Sequence, residues 1–169
     1  MSTAMPSPDT STPTIYGWCG RVLHAGQSQN LPRYTVSADV QGVTDSQTKL
    51  IWRRCVEGMV FSGGSCTGTA ITFTHEAALR QAADQASITG VAWRLPNIKE
   101  LSSIADKSLS NPAIDSTVFP ATPSGWFKSS SPNVGSSLSA WNVDFSSGMV
   151  FNSSYRYDSG YVRLVRTAP

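Results

Sequence analysis

Trp93-Arg94-Leu95-Pro96-Asn97-Ile98-Lys99-Glu100-Leu101 is the stretch on which the reading of the fold turns. Trp93-Arg94-Leu95 reads as a short strand, and Pro96 stops it. Asn97 is a strong helix N-cap, because its side-chain oxygen can accept a backbone N–H that the first turn leaves free. Glu100 stands three positions on, where its carboxylate can reach back to the Asn97 N–H and complete a capping box. Leu101, Ile104 and Ala105 then form a buried stripe, and Ser108 to Asn111, followed by Pro112, end the helix.

Toward the N-terminus, a first helix is expected over Thr74 to Ala86, with Thr74 as its cap and Phe73 and Ala78 at the staple positions. Ala78, Leu79, Ala82, Ala83 and Ala86 fall on one stripe at helical spacing, so this helix should pack closely on a sheet. Before it, Val43 to Thr48 reads as strand then turn, and Lys49 to Trp52 as a second short strand. Residues 15–43 read as irregular, with short strands such as Tyr34-Thr35-Val36. Met1 to Thr14 is rich in Ser, Thr and Pro and reads as a disordered lead-in to one domain over residues 15–169.

Cys55 and Cys66 bracket a segment containing Gly63-Gly64-Ser65, a signal for a tight reversal that could bring the two within bridging distance. A disulfide is expected there; the other reading is two separate buried thiols. Cys19 is left over, as a buried free thiol or a link to another chain.

Toward the C-terminus, Asn111 to Ser139 is rich in loops, anchored by Phe119, Trp126 and Phe127. Trp141, Val143 and Phe145 should then lie on one side of a strand, with Asn142 and Asp144 on the other. Ser146-Ser147-Gly148 is a hairpin turn, and Met149-Val150-Phe151 begins the return strand. Tyr161 to Arg166 closes the domain as one final buried strand. The sum is an α+β fold: two helices near the middle, short antiparallel strands around them and long loops of the kind that serve binding.

Composition narrows function. Charged residues are 14% of the chain, against about 25% in an average soluble domain. The net charge is +2, and no basic block exceeds Arg53-Arg54, so nucleic acid is not an expected partner. No apolar run is long enough to enter a bilayer as a spanning helix. Enzymatic chemistry is not expected either. His24 and His75 have no neighbouring nucleophile, no acidic pair stands at a defined spacing, and no metal-binding motif is present.

The succession of motifs is specific. Arg54-Cys55-Val56-Glu57-Gly58, Cys66-Thr67-Gly68, Trp93 to Leu101, Asn111-Pro112-Ala113-Ile114, Val118-Phe119-Pro120, Ala140-Trp141-Asn142-Val143-Asp144-Phe145 and Val162-Arg163-Leu164-Val165-Arg166 follow in order. Over roughly residues 40–167 this resembles the bacterial domain family typified by the C-terminal domain of the Legionella collagen-like adhesin. The resemblance implies a C-type-lectin-like fold, export to the extracellular space or cell surface, and ligand binding in adhesion. It implies sulfated glycans as the adhesin's ligand and a homo-trimer as its form. The calcium motifs of sugar-binding C-type lectins, Glu-Pro-Asn and Gln-Pro-Asp, are absent. Trp141-Asn142-Val143-Asp144 only loosely echoes their Trp-Asn-Asp, so no cofactor is expected and calcium is the single candidate ion.

The candidate binding face follows from Phe151 to Tyr161, which uses Tyr, Ser, Asn and Gly as antibody paratopes do. The bland alternative is a polar loop beside a hairpin. The expected surface for a protein or glycan ligand comprises Trp126, Asn142, Asn152, Ser153, Ser154, Tyr155, Arg156, Tyr157, Asp158 and Tyr161, with Tyr155 and Tyr157 as hot spots. Trp141 is expected in the core, and Arg163 and Arg166 in structural pairs beneath the face. All eleven residues of 151–161 can be reached by randomising the two adenines of an AAC or AAT codon. That alphabet resembles the variable regions of proteins diversified by retroelements. Two other functional readings stand beside this one. One is a trimerising structural tip of an adhesin. The other is a formylglycine-generating-type enzyme, whose chemistry needs paired reactive cysteines near the C-terminus.

Overall fold

The computed structural model describes residues 32–169, and the expectations for the lead-in, Cys19 and His24 lie outside them. The first strands form where the sequence places them, with the third shifted by one residue. Strand β1 (Tyr34–Val36), β2 (Gly42–Asp45) and β3 (Leu50–Arg53) run antiparallel, and the last strand, β11 (Val165–Thr167), completes the sheet beside β3. The start and end of the described chain therefore meet in one four-stranded sheet.

Next comes a hairpin, β4 (Met59–Ser62) and β5 (Ser65–Gly68), which among the described residues pairs only with itself. Its turn is Gly63-Gly64, both with positive φ, the backbone a two-residue hairpin turn demands. The disulfide expected from the sequence is present: Cys55 and Cys66 are bridged with Cα atoms 5.6 Å apart. Both sulfurs are buried, so the bridge ties the hairpin to the core.

After the two-residue strand β6 (Thr72–Phe73), helix α1 runs His75–Thr89. Thr74 caps it through a bond from the Ala77 N–H. The helix continues one turn past the expected end at Ala86. Its buried face is His75, Ala78 and Ala82, spaced three and four apart; Leu79 and Ala83 lie a step further round and are exposed. The expected stripe was thus centred too far round the helix.

Helix α2 (Ile98–Ser103) starts as its capping box predicts: Asn97 accepts the Glu100 N–H and Glu100 accepts the Asn97 N–H, each at 2.9 Å. Glu100 also holds Arg94 in a two-pronged ion pair, with both contacts at 2.7 Å. The helix ends five residues before the expected Ser108. Asp106 stops it there by donating its N–H to the Ala113 carbonyl and accepting the Ser108 N–H and hydroxyl in a tight turn.

The second sheet has five strands in the order β6, β10 (Gly160–Tyr161), β7 (Trp126–Pro132), β8 (Ser139–Asp144), β9 (Met149–Tyr155). All pairs are antiparallel except β10 with β7. Val143 and Phe127 join Leu101 and Ile104 in the main core with Trp52, Phe119 and Phe145. A smaller cluster holds Ala78 and Ala82 against Leu95, Val162 and Leu164.

The single closing strand expected over Tyr161 to Arg166 is in fact two. The chain leaves the second sheet after Tyr161 and enters the first at Val165, and the crossing residues Val162, Arg163 and Leu164 are buried. Arg163 secures the crossing. Its guanidinium donates to the Arg53 and Arg54 carbonyls and to the Thr122 hydroxyl, and lies over the Phe119 ring. Burial lowers its pKa to about 9, still high enough to leave it charged at neutral pH. Arg166 instead stands over Trp93, whose ring Arg53 also approaches. Both arginines are structural, through carbonyls and aromatic faces rather than carboxylates.

Candidate functional site: a tyrosine ridge between two grooves

Strand β9 ends in Tyr155, and residues 156–159 turn the chain back into β10. Two bonds hold that turn to the framework and one closes it on itself. The Arg156 N–H donates to the Leu138 carbonyl at 2.8 Å, the Asp158 N–H to the Tyr155 carbonyl at 3.2 Å, and the Arg156 carbonyl accepts the N–H of His75, first residue of α1, at 2.8 Å. The Arg156 Nε adds a bond to the Ser139 carbonyl at 3.3 Å. Gly160 closes the turn at a place where a Cβ would stand 2.8 Å from the Trp126 carbonyl oxygen.

This anchoring presents two tyrosines together. The rings of Tyr155 and Tyr157 stack with centroids 4.9 Å apart and planes 9° from parallel. Despite the stack they are 47% and 66% exposed. The Tyr157 phenol is held above its usual pKa, first by desolvation and then by Tyr155 and Asp158, so it is a neutral donor at physiological pH.

A groove lies on each side of this ridge. One, of about 430 Å³, is lined by Trp126, Ser153, Ser154, Tyr155, Asp158 and Ser159. Trp126 is 40% exposed and packs edge-on against Phe151 at 4.7 Å, which steadies it as an aromatic wall. The other, of about 510 Å³, lies between the tyrosine turn and the start of α1, with Leu79, Leu138, Tyr157, Arg156 and His75 among its walls. Leu138 and Leu79 were not among the sequence candidates. Leu138 stands alone in a serine-rich loop, and Leu79 read as core because its helix phase was misjudged.

Of the expected surface residues, Trp126, Asn152, Ser153, Tyr155, Tyr157 and Asp158 are exposed, and Ser154 and Arg156 are half-buried on the same segment. Asn152 is tied down at its carbonyl by the Asn133 side chain at 2.7 Å. Two residues depart from expectation. Asn142 is fully buried, and neither amide atom has a hydrogen-bond partner among the described residues. It sits in β8 opposite Lys128 and Phe151, the register having shifted at a bulge between Ala140 and Asn142, and both it and the adjacent Val143, which points to the other face, are fully buried. Tyr161 is half-buried and packs its ring on Phe127 at 5.5 Å. Trp141, expected in the core, is only half-buried.

Beneath the turn lies Lys128, 1% exposed. Burial pushes its ammonium down, and Asp158 opposes that shift. His75 is also buried, and its pKa is lowered by that burial and by the charges of Arg156 and Lys128. Asp144 accepts the Ser146 N–H at 2.9 Å and its hydroxyl at 2.6 Å, which fixes the hairpin turn. Among the described residues no three His, Cys, Asp or Glu side chains gather as a metal site, and no helix is long and apolar enough to cross a membrane.

Comparison with curated proteins and with solved structures gives no match. A family model described as the Lcl C-terminal domain matches residues 41–166, which takes in the first sheet apart from β1 and the final residue of β11, the whole second sheet, both helices and the tyrosine ridge. The order of motifs, the α+β architecture and this match agree, and the chain belongs to the Lcl C-terminal domain family, an adhesin-related group.

Proposed function

We propose that this is a secreted or surface-displayed recognition domain of C-type-lectin-like type, non-enzymatic, which binds an external ligand on the Tyr155–Tyr157 ridge. The observation that carries the reading is the exposed parallel stack of two tyrosines between two grooves. Two large aromatic rings left in water lose apolar burial that folding could have supplied, about 25 cal/mol for each Å² left exposed. A ligand that covers them recovers it. The stack also restricts the side chains before binding, which lowers the ordering cost on association.

The eleven-residue segment supports a finer reading: diversification by a retroelement. Its exposed members are Asn152, Ser153, Tyr155, Tyr157, Asp158 and Ser159, so substitutions drawn from the same codon alphabet would alter the face and leave the core intact. A template copy near the gene, differing only at adenine positions, is the expected finding; a locus without one removes this part of the proposal.

The domain should be tested on combined glycan and protein arrays. The double variant Tyr155→Ala/Tyr157→Ala is expected to lose the wild-type hits at least about 30-fold, as befits two hot-spot aromatics, while still folding. Hits that survive the double variant unchanged would refute the ridge as the binding surface.

A further inference from the structure

The groove beside α1 has walls and a floor of different chemistry. Leu138 is 63% exposed, Tyr157 66% and Leu79 42%. They come from three separate segments and converge on one groove. Single exposed apolar residues need no explanation, but a convergent set marks an interaction surface.

The floor is polar and electropositive. His75 is 5% exposed and lines the groove, and its Nδ1, itself shut off from solvent, has no partner among the described residues. Arg156 lines the same groove, and its charge and that of Lys128 are both felt at His75. His75 is also the first residue of a 15-residue helix, whose N-terminal end carries partial positive charge. The acid on the groove, Glu76, is ion-paired with Arg80 at 2.5 Å out in solvent. The floor thus favours a negative group, and the walls favour a large apolar side chain.

We propose that this groove takes a carboxylate-bearing apolar element of a protein ligand: a large apolar side chain between Leu79, Leu138 and Tyr157, with a neighbouring Asp or Glu carboxylate on Arg156 and His75. This rests on the recognition reading above and names the ligand class at that face.

The test uses the whole chain, ¹⁵N-labelled, titrated with the probe N-acetyl-Phe-Asp-amide. The expected result is saturable amide shifts at His75, Leu138 and Tyr157, together with a rise in the His75 imidazole pKa as the carboxylate arrives. The Phe-Asn counterpart should bind roughly tenfold more weakly, because a charge-assisted bond becomes a neutral one. Leu138→Ser should weaken the Phe-Asp probe by roughly tenfold, the loss of one apolar wall, with an unchanged melting temperature. No saturable shift up to about 10 mM probe overturns the proposal, and so does equal binding of the Phe-Asn probe. Shifts at the same amides with methyl glucuronide but not with the peptide also overturn it and assign the groove to an acidic glycan. If the peptide fails while the double tyrosine variant still abolishes array binding, this inference falls and the ridge reading stands.

Discussion

Replacing Cys55 and Cys66 together by alanine probes how the framework is held. The bridge closes a loop with a sequence separation of 11 residues. In the chain-entropy model a loop of that size removes about 9 cal/mol/K from the unfolded ensemble, or about 2.8 kcal/mol at room temperature. The two buried sulfurs add up to about 1 kcal/mol each when removed from an apolar site. The expected loss is therefore about 3–5 kcal/mol, a fall of roughly 10 °C or more in melting temperature for a domain of this size. The hairpin the bridge secures pairs with no other strand among the described residues, so its amides should also exchange faster than those of either larger sheet. Urea denaturation of the variant, and of wild type with and without reductant, measures the loss; hydrogen exchange locates it. A loss below about 1 kcal/mol, with an unchanged denaturant slope, would refute the entropic argument. It would mean that the Gly63-Gly64 turn already holds the two ends together in the unfolded chain.

Three further outcomes are expected. Glu100→Ala removes the reciprocal half of the capping box and the partner of Arg94, and should cost about 1–2 kcal/mol in urea denaturation, whereas Glu100→Gln should recover part of it. Gly160→Ala sets a Cβ 2.8 Å from the Trp126 carbonyl oxygen, which neither backbone can relieve without parting β10 from β7. It should cost about 1–3 kcal/mol and broaden the amide resonances of residues 156–160. His75 is held below its ordinary pKa of 6.5 by burial and by the charges of Arg156 and Lys128, so between the folded and unfolded values the unfolded chain binds the extra proton. Its contribution is present above about pH 6.5 and is lost as the pH falls toward the folded value, by at most about 1.4 kcal/mol per pH unit. Thermal melts at about pH 7.5 and about pH 5 should show a smaller acid-induced drop in His75→Gln than in wild type.

Much of the fold is legible wherever one short stretch contains both partners of an interaction. Asn97 and Glu100 are three residues apart, so their capping box can be read without knowing what surrounds it. The Gly63-Gly64 turn and the two cysteines that flank it fall within one short stretch, with the cysteines 11 positions apart, and the tyrosine-rich segment declares itself by composition. Errors fall where the deciding contact lies outside the element being read. The end of α2 depends on Ala113 receiving the Asp106 N–H, and the split of the last strand on Arg163 reaching back to Arg53 and Arg54, more than a hundred residues earlier.

The chain's own local chemistry therefore determines the α+β class, the capped helices, the bridge and the segment that carries the candidate face. Only the tertiary structure decides which side chains of that face meet water. An alternation of Asn142 with Val143 says that they point opposite ways, but not that both directions are covered, and here both are. Nor does the order of residues reveal that Leu79, Leu138 and Tyr157 converge, since that depends on the Arg156 carbonyl docking on the first N–H of α1. Periodicity is a property of neighbours along the chain, whereas exposure is set by whatever distant segment packs on top.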